Sequence, residues 1–507
     1  MEGSRRIILN TAILYAKILI CMGISLYTVP LVLHALGKSD YGLFNLIAGV
    51  ISMLAFMNAA MTLSTQRYLS VTIGERNDKK LQEVYNISIC LHVVIAGAVV
   101  LLIELAMPFL FQYVLNIEEA RQGVALQLYH LLVVSMFFSI VAVPFDAVMN
   151  AYENMAAFSI ISIIEAVLKL LAALMLTCVP YDRLLYYGTA MVFVAFLVFI
   201  LKFVYIRHSY KHLHIRLQYA RNMQLFREMF SFAGWNTLSA LAVVGRNQGI
   251  AITLNHFLGT VINAAYGIAN QVNSTLCYFS ATIQKSVNPQ LMLSEGAHEQ
   301  SRLIILTYAL TKYSLLALAV LALPLIIEMP YVLGIWIGDT PQYAVPFTRI
   351  IIVLSLITQS SAGLMSAVQS SGRVKYYTIA ICCTLLSTVL VAYLVLRQGY
   401  SPVTALWLAC VIEVGAFFIR LYFANRLNHI PVWDYLKRII LPHLFVFVFV
   451  CMCLYAISLQ MDPSFFRLLT VCAIDVVLYA FCSFLFIFNR EERHYIVNIV
   501  NSLKSKL

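Results

Sequence analysis

The chain has 507 residues, of which 62% are hydrophobic and only 11% charged, with a mean hydropathy of +0.85. Soluble domains carry about 25% charged residues, so this composition excludes a soluble globular protein and indicates a multi-pass membrane protein. The net charge of +11 does not make the chain a nucleic-acid binder, because no soluble domain is there to present a basic surface.

A spanning helix needs about 20 mostly apolar residues. About fourteen such windows follow one another: 7–33, 41–66, 84–107, 124–149, 156–179, 184–206, 228–254, 262–288, 303–328, 344–370, 376–396, 402–424, 439–459 and 466–488. Their apolar runs are continuous rather than alternating, which predicts helices and not a β-barrel. The first window holds Lys17, and no A-x-A-like site follows it, so it reads as a retained helix and not a signal peptide. The second carries Asn45, Ser52, Thr62 and Gln66. The fourth contains Asp146, and the fifth has Glu165 and Lys169 four residues apart, in the Glu-first order that suits a self-neutralised pair on one helix face.

Between the sixth and seventh windows runs the basic stretch Arg207–Arg227, with five Lys/Arg, three His and no acid. With the N-terminus in the cytoplasm, most of the 34 Lys and Arg fall on the cytoplasmic side, and an even helix count returns the C-terminus there as well. The basic stretch is then an orientation signal lying against anionic headgroups. Four cations lie well inside the windows, away from their ends: Lys17, Lys169, Arg246 and Lys312.

The seventh window contains Gly245-Arg246-Asn247-Gln248-Gly249. The glycines have the spacing that lets two membrane helices approach closely, but hydrocarbon does not accept the residues between them cheaply. The eighth window places Asn263, Tyr266, Asn270, Ser274, Gln284 and Asn288 along one helical face. Interhelical hydrogen bonds would explain a short stripe of this kind. One that runs the length of the helix suits the wall of a water-filled cleft. The eleven cysteines lie in or beside apolar windows with no CxxC pair and no Cys/His cluster, so no metal, cofactor or disulfide framework is expected.

The chain also repeats itself. Superposing Leu36-Gly37 on Leu258-Gly259 gives an offset of 222 that also aligns Ser52 with Ser274, Gln66 with Asn288 and Gly74 with Gly296. "AVMNAYENM" (147–155) echoes "AVQSSGRVK" (367–375) at an offset of 220. Six helices separate equivalent positions, so the halves share one orientation, as in transporters built from parallel repeats. The expected organisation is a six-helix lobe over 1–206, a basic linker over 207–227, a second six-helix lobe over 228–424, and two further helices with a basic tail over 425–507. Arg246, Lys17 and Lys312, beside a polar wall that includes Gln248, Asn263, Asn270, Ser274, Gln66 and Asn288, suggest an anionic, hydroxyl-rich substrate. A phosphate or pyrophosphate would satisfy the arginine bidentately. Asp146, Glu165 and Lys169 are candidates for ion coupling or charge pairing, and Glu413 and Asp475 are the other acids well inside windows.

"FLGTVINAAYGIANQVNSTLCYFSATIQKSVNPQL" (257–291) resembles helix 8 of the Wzx-like polysaccharide flippases, in the superfamily that also holds the MATE multidrug exporters. "FAGWNTLSALAVVGRNQGIAITLNHFLG" (232–259) is similar to helix 7 of that group in Bacteroides-type bacteria. "ALGKSDYGLFNLI" (35–47) resembles its first-loop signature. The resemblance implies two six-helix lobes in the bacterial inner membrane. It also implies alternating-access transfer of an undecaprenyl-pyrophosphate-linked oligosaccharide to the periplasmic leaflet, with polysaccharide assembly machinery as a partner. It assigns the pyrophosphate to cavity cations, here Arg246, with Lys17 and Lys312. Many relatives carry an acid near this point of helix 7, where this chain has Asn247 and Gln248. A proton- or sodium-coupled multidrug antiporter shares the fold but suits a lone intramembrane carboxylate. A glycosyltransferase or polymerase would need catalytic acids in outer loops, where the first loop of this chain offers Asp40 alone and the longest, about 330–343, only Asp339.

Overall fold

The computed structural model describes residues 2–52, 55–114, 117–180, 182–494 and 497–498. Among these it contains helices, short 3-10 and π turns, and no strand. The first half comprises α1 (Glu2–Ser52), α2 (Ala55–Gly74), α3 (Asp78–Phe109), α4 (Gln122–Val141), α5 (Val143–Ala151), α6 (Met155–Met175) and α7 (Arg183–Ser209). The second comprises α8 (Met223–Leu258), α9 (Thr260–Gly296), α10 (Gln300–Ile337), α11 (Ala344–Gln359), α12 (Ala362–Ser371), α13 (Lys375–Arg397) and α14 (Pro402–Asn428). The short α15 (Val432–Tyr435) then leads into α16 (Leu441–Ser458) and α17 (Phe465–Cys482). Among the described residues, ten helical spans are long and apolar enough to cross a membrane, or 11 if the bent pair α11–α12 is one span. The polar helices α8 and α9 are not among them.

Helix ends follow local chemistry. Asn77, Asn154 and Asp182 accept hydrogen bonds from the first-turn amides of α3, α6 and α7. The helical run of α1 turns at Gly37, and α8 ends at Gly259, with φ of 79° and 81°, a conformation glycine adopts at no steric cost. These two glycines are 222 residues apart, as are Arg76 and His298, which take left-handed φ values of 53° and 56° after α2 and α9. The windows predicted at 124–149 and 344–370 are each two helices rather than one. In the first, Pro144 opens α5 and has no N–H to continue the ladder from α4. In the second, the hydroxyls of Ser360 and Ser361 take the carbonyls of Ile357 and Thr358, and the pair bends by 44°.

The chain divides into two compact units, Met1–Leu241 with Asn288–Glu299, and Ala242–Val287 with Gln300–Leu507. In the first unit, apolar clusters form around Leu69, Tyr85 and Met149, and around Ile47, Leu128 and Tyr129. The basic stretch after α7 docks on α3. The side chains of Gln82 and Asn86 hold the carbonyl of His214, and Asn86 Oδ1 accepts from the amide of Arg216 at 2.7 Å. In the second unit, the core gathers Tyr266, Leu318, Phe347 and Leu406.

The end of α9 lies within the first unit, against α2, and the contact is reciprocal. A Cβ on Gly74 would fall well inside van der Waals contact distance of Leu293 O, and one on Gly296 inside that of Val71 O. Val71 and Leu293 are themselves 222 residues apart, so equivalent positions of the two repeats touch each other. Gly296→Ala is therefore expected to destabilise the protein by about 1–3 kcal/mol through overpacking. Gly97→Ala in α3, where nothing lies within 4 Å of the added atom, is expected to be neutral or stabilising through better helix propensity. Thermal unfolding of the two purified variants checks the contrast.

Candidate functional site

The polar centre of the second unit is built on α8 and α14. Arg246 lies midway along α8, and its Nη1 donates to Glu413 Oε2 of α14 at 3.0 Å. Glu413 Oε1 accepts from Arg420 Nη1 at 2.7 Å. Glu413 and Arg420 are seven residues apart on α14, two turns along one face. Arg420 also donates to the Ser361 hydroxyl at the break between α11 and α12. The carboxylate side chain is 1% exposed, Arg420 4% and Arg246 13%. Two buried guanidinium groups thus share a single carboxylate, and the trio keeps one net positive charge.

Arg246 is the loosely held member. Its one further bond among the described residues is a 3.4 Å donation from Nε to Asn247 Oδ1. Its side chain faces a small recess whose polar lining is Arg246, Asn247, Tyr266, Asn270, Asn273, Ser355 and Thr358. Ser355 donates to Asn273 Oδ1 at 2.6 Å, and Asn270 donates to the Tyr266 carbonyl at 3.0 Å. Amide and hydroxyl groups with spare donor and acceptor capacity therefore surround a guanidinium that has free N–H groups.

Other predicted site residues lie elsewhere. On α8, Gln248 is exposed, about 200° around the helix from Arg246. On α9, Asn263 is half-buried outside the recess, and Ser274 is exposed and donates to the Gln271 carbonyl. Gln284 donates to Gln359 Oε1. Gln66 and Asn288 both belong to the first unit, each with one side-chain atom lacking a hydrogen-bond partner. The side chain of Ser52 lies outside the described residues.

The predicted cations are mostly paired. Lys312 is buried and ion-paired with Glu492 at 2.5 Å, beyond the last long helix, so it does not share the Arg246 recess. In the first unit, Lys169 pairs with Glu165 at 2.6 Å, and Asp146 pairs with Lys202 at 2.8 Å rather than with Arg246. Lys17 sits 5.1 Å over the ring of Phe158. At the opposite end of that unit, Arg121 joins Asp40 and Asp182, which gives the solitary first-loop acid a structural role. Arg420, Asn273, Ser355 and Thr358 are the site residues that the sequence did not reveal. The i, i+7 spacing of Glu413 and Arg420 was the one available signal.

The family model described as polysaccharide biosynthesis protein matches residues 7–291. No curated protein matches the chain in sequence. Solved structures are similar across most of its length. A MATE transporter in the bent conformation has a TM-score of 0.72 at 12% identity, covering 85% of this chain and 96% of its own. The MATE transporter ClbM in complex with Rb+ has a TM-score of 0.71 at 14% identity, covering 85% and 96%. A MOP superfamily transporter from Pyrococcus furiosus, described by the reversed polarity of its binding pocket, has a TM-score of 0.69 at 13% identity, covering 84% and 96%. At these identities the likeness is one of fold.

Removing a carboxylate shared by two buried cations leaves both uncompensated. Glu413→Ala is expected to cost about 3–5 kcal/mol. Adding Arg420→Met to it should recover much of that loss. Thermal unfolding of the single and double variants in detergent would show this as a non-additive pair.

Proposed function

Because the chain belongs to the polysaccharide biosynthesis protein family and has the fold of a membrane transporter, we propose that it flips an undecaprenyl-pyrophosphate-linked oligosaccharide across the bacterial inner membrane. The transfer runs from the cytoplasmic to the periplasmic leaflet by alternating access, with both termini in the cytoplasm. The cargo is the repeat unit of an O-antigen, capsule or exopolysaccharide. The observation that carries this reading is the Arg246–Glu413–Arg420 trio, which keeps a net positive charge beside a recess lined with amides and hydroxyls.

The physical task is to move a pyrophosphate past hydrocarbon. An isolated charge at the bilayer centre costs about 2.5–3.5 kcal/mol even on the most lenient scales. Arg246, held by one strong bond, can turn its free N–H groups toward phosphate oxygens while Arg420 and Glu413 stay anchored. Charge-assisted hydrogen bonds to phosphate are short and strong, and a guanidinium offers them in pairs. Asn247, Asn270 and Asn273 then meet sugar hydroxyls, and the polyprenyl tail remains in lipid. The same trio disfavours a drug antiporter, because its carboxylate is already committed to two arginines and offers nothing to an organic cation.

The family places the chain among transporters, and the outer-loop acids Asp40 and Asp182 are taken up in ion pairs with Arg121. The reading is tested by Arg246→Ala, Arg246→Lys and Arg246→Glu in a strain lacking the native gene, with surface glycan and accumulated lipid-linked sugar as readouts. Losing a hydrogen bond to a charged group costs about 1.5–3 kcal/mol, so Arg246→Ala should lower export about ten- to hundredfold. Arg246→Lys should lose less and Arg246→Glu more. Wild-type export by a normally expressed Arg246→Glu protein would overturn the assignment.

A further inference from the structure

The two helices beyond the repeat, α16 and α17, pack with α10 around an apolar seam. Ala319 and Leu323 of α10, Val446, Val450 and Leu454 of α16, and Val471 and Tyr479 of α17 form its core. Asp475 sits in the middle of that stripe, one turn from Val471 and one from Tyr479 on the same face of α17. It is fully buried, and neither carboxylate oxygen has a hydrogen-bond partner. The other carboxylates inside spans are answered: Asp146 by Lys202, Glu165 by Lys169, Glu328 by Arg467, Glu413 by two arginines and Glu104 by His130.

Among the described residues, the groups that face the seam offer Asp475 no cation, and Arg349 of α11, whose Leu356 packs on the seam, gives its N–H groups to the carbonyls of Ile326 and Ile327. Arg467, eight residues earlier on α17 and so about 12 Å along the axis, gives two N–H groups to Glu328 of α10 at 3.2 and 2.8 Å. Lys312 of α10 is held by Glu492. His443 of α16 has its ring nitrogens on the carbonyls of Ile439 and Lys312. What remains is the hydroxyl of Tyr479 and the thiols of Cys472 and Cys482 on α17 and of Cys451 and Cys453 on α16, none of them cationic. The seam therefore has a buried ion pair toward each end and a solitary carboxyl group between them. An ionised carboxylate in that position, without counter-charge or donors, would cost several kcal/mol, whereas the neutral acid avoids most of that penalty.

We propose that Asp475 is a proton-binding site, occupied in this conformation, through which the appended helix pair couples transport to the proton gradient. When α17 shifts on α10 so that the carboxyl group meets water, the O–H bond breaks, the proton leaves to water and the charge stays on the carboxylate. The return shift is closed to Asp475 until it is protonated again. The coupling rests on the transport reading above, but the occupancy of the site does not.

Two measurements on the full-length protein test it. Infrared spectra of the purified protein at pH 7 should contain a neutral-carboxylic-acid C=O band that Asp475→Asn removes. In the deletion strain, Asp475→Asn, permanently neutral, should keep wild-type thermal stability and export at least tenfold less glycan. Asp475→Glu, which restores an acid, should recover part of that export and also serves if the asparagine variant folds poorly. Absence of the band, or wild-type export by Asp475→Asn, would overturn the proposal. Arg246→Glu run alongside separates the causes. If it abolishes export and Asp475→Asn does not, the coupling role of Asp475 fails while the transport reading stands. If neither changes export, the Arg246 assignment fails as well, and if the deletion strain itself exports glycan normally the flippase reading fails and the coupling role falls with it.

Discussion

A charge within the span of a membrane helix has almost nothing to solvate it, so it must be met by an opposite charge, an aromatic face or water. This requirement organises both units. In the first, Lys202 answers Asp146 and Lys169 answers Glu165, while Lys17 rests on Phe158. In the second, Glu413 ties α8 to α14 by accepting from Arg246 and Arg420. None of these groups could be placed alone without moving the helix that carries it, so the ion pairs help to fix which helix faces which. Where the charges do not cancel, as in the arginine–glutamate–arginine trio, the residual field is positive and confined to one recess. The proposed phosphorylated cargo would meet there a rigid anchor and a surplus of positive charge.

The breaks in the helices serve the same centre. Ser361 is free to accept from Arg420 because the chain turns there between α11 and α12. Ser360 and Ser361 hold that turn with their own side chains, and Tyr435 caps the Ser360 carbonyl at 2.7 Å. A continuous helix would have kept these polar groups within its own ladder. The corresponding break between α4 and α5 in the first half is made by Pro144 instead, so two chemistries produce one interruption at equivalent places.

Much of this architecture was legible in the sequence because it depends on quantities that add up locally. Each predicted window falls on helix among the described residues, and the offset of 222 recurs in the backbone as two glycines and two left-handed residues at matching positions. Helix periodicity placed Asn270 and Tyr266 on the face that lines the recess, and it made a self-neutralised pair of Glu165 and Lys169. Pairings across the chain were not legible. Arg246 and Glu413 are 167 residues apart and Lys312 and Glu492 are 180 apart, and no local pattern says which acid answers which base. Arg420 lies near the end of its window, where a cation by itself points to no partner. Gln248 seemed part of the site because it is a neighbour in sequence, yet two residues along a helix is more than half a turn away.

The crossing of Gly74 and Gly296 bears on how such a chain came to be. If the repeat arose by duplication, most positions of the two copies have since been free to drift, and few identities survive along the offset. At this crossing they are not free, because each copy's glycine is seated against the other copy's backbone at Leu293 and Val71. A larger residue in either copy would collide with its own counterpart's segment, so neither can change without the other giving way. The point of contact between the copies is thus a place where the ancestral residue is held in both by mutual exclusion, and the sequence there preserves a record of the duplication.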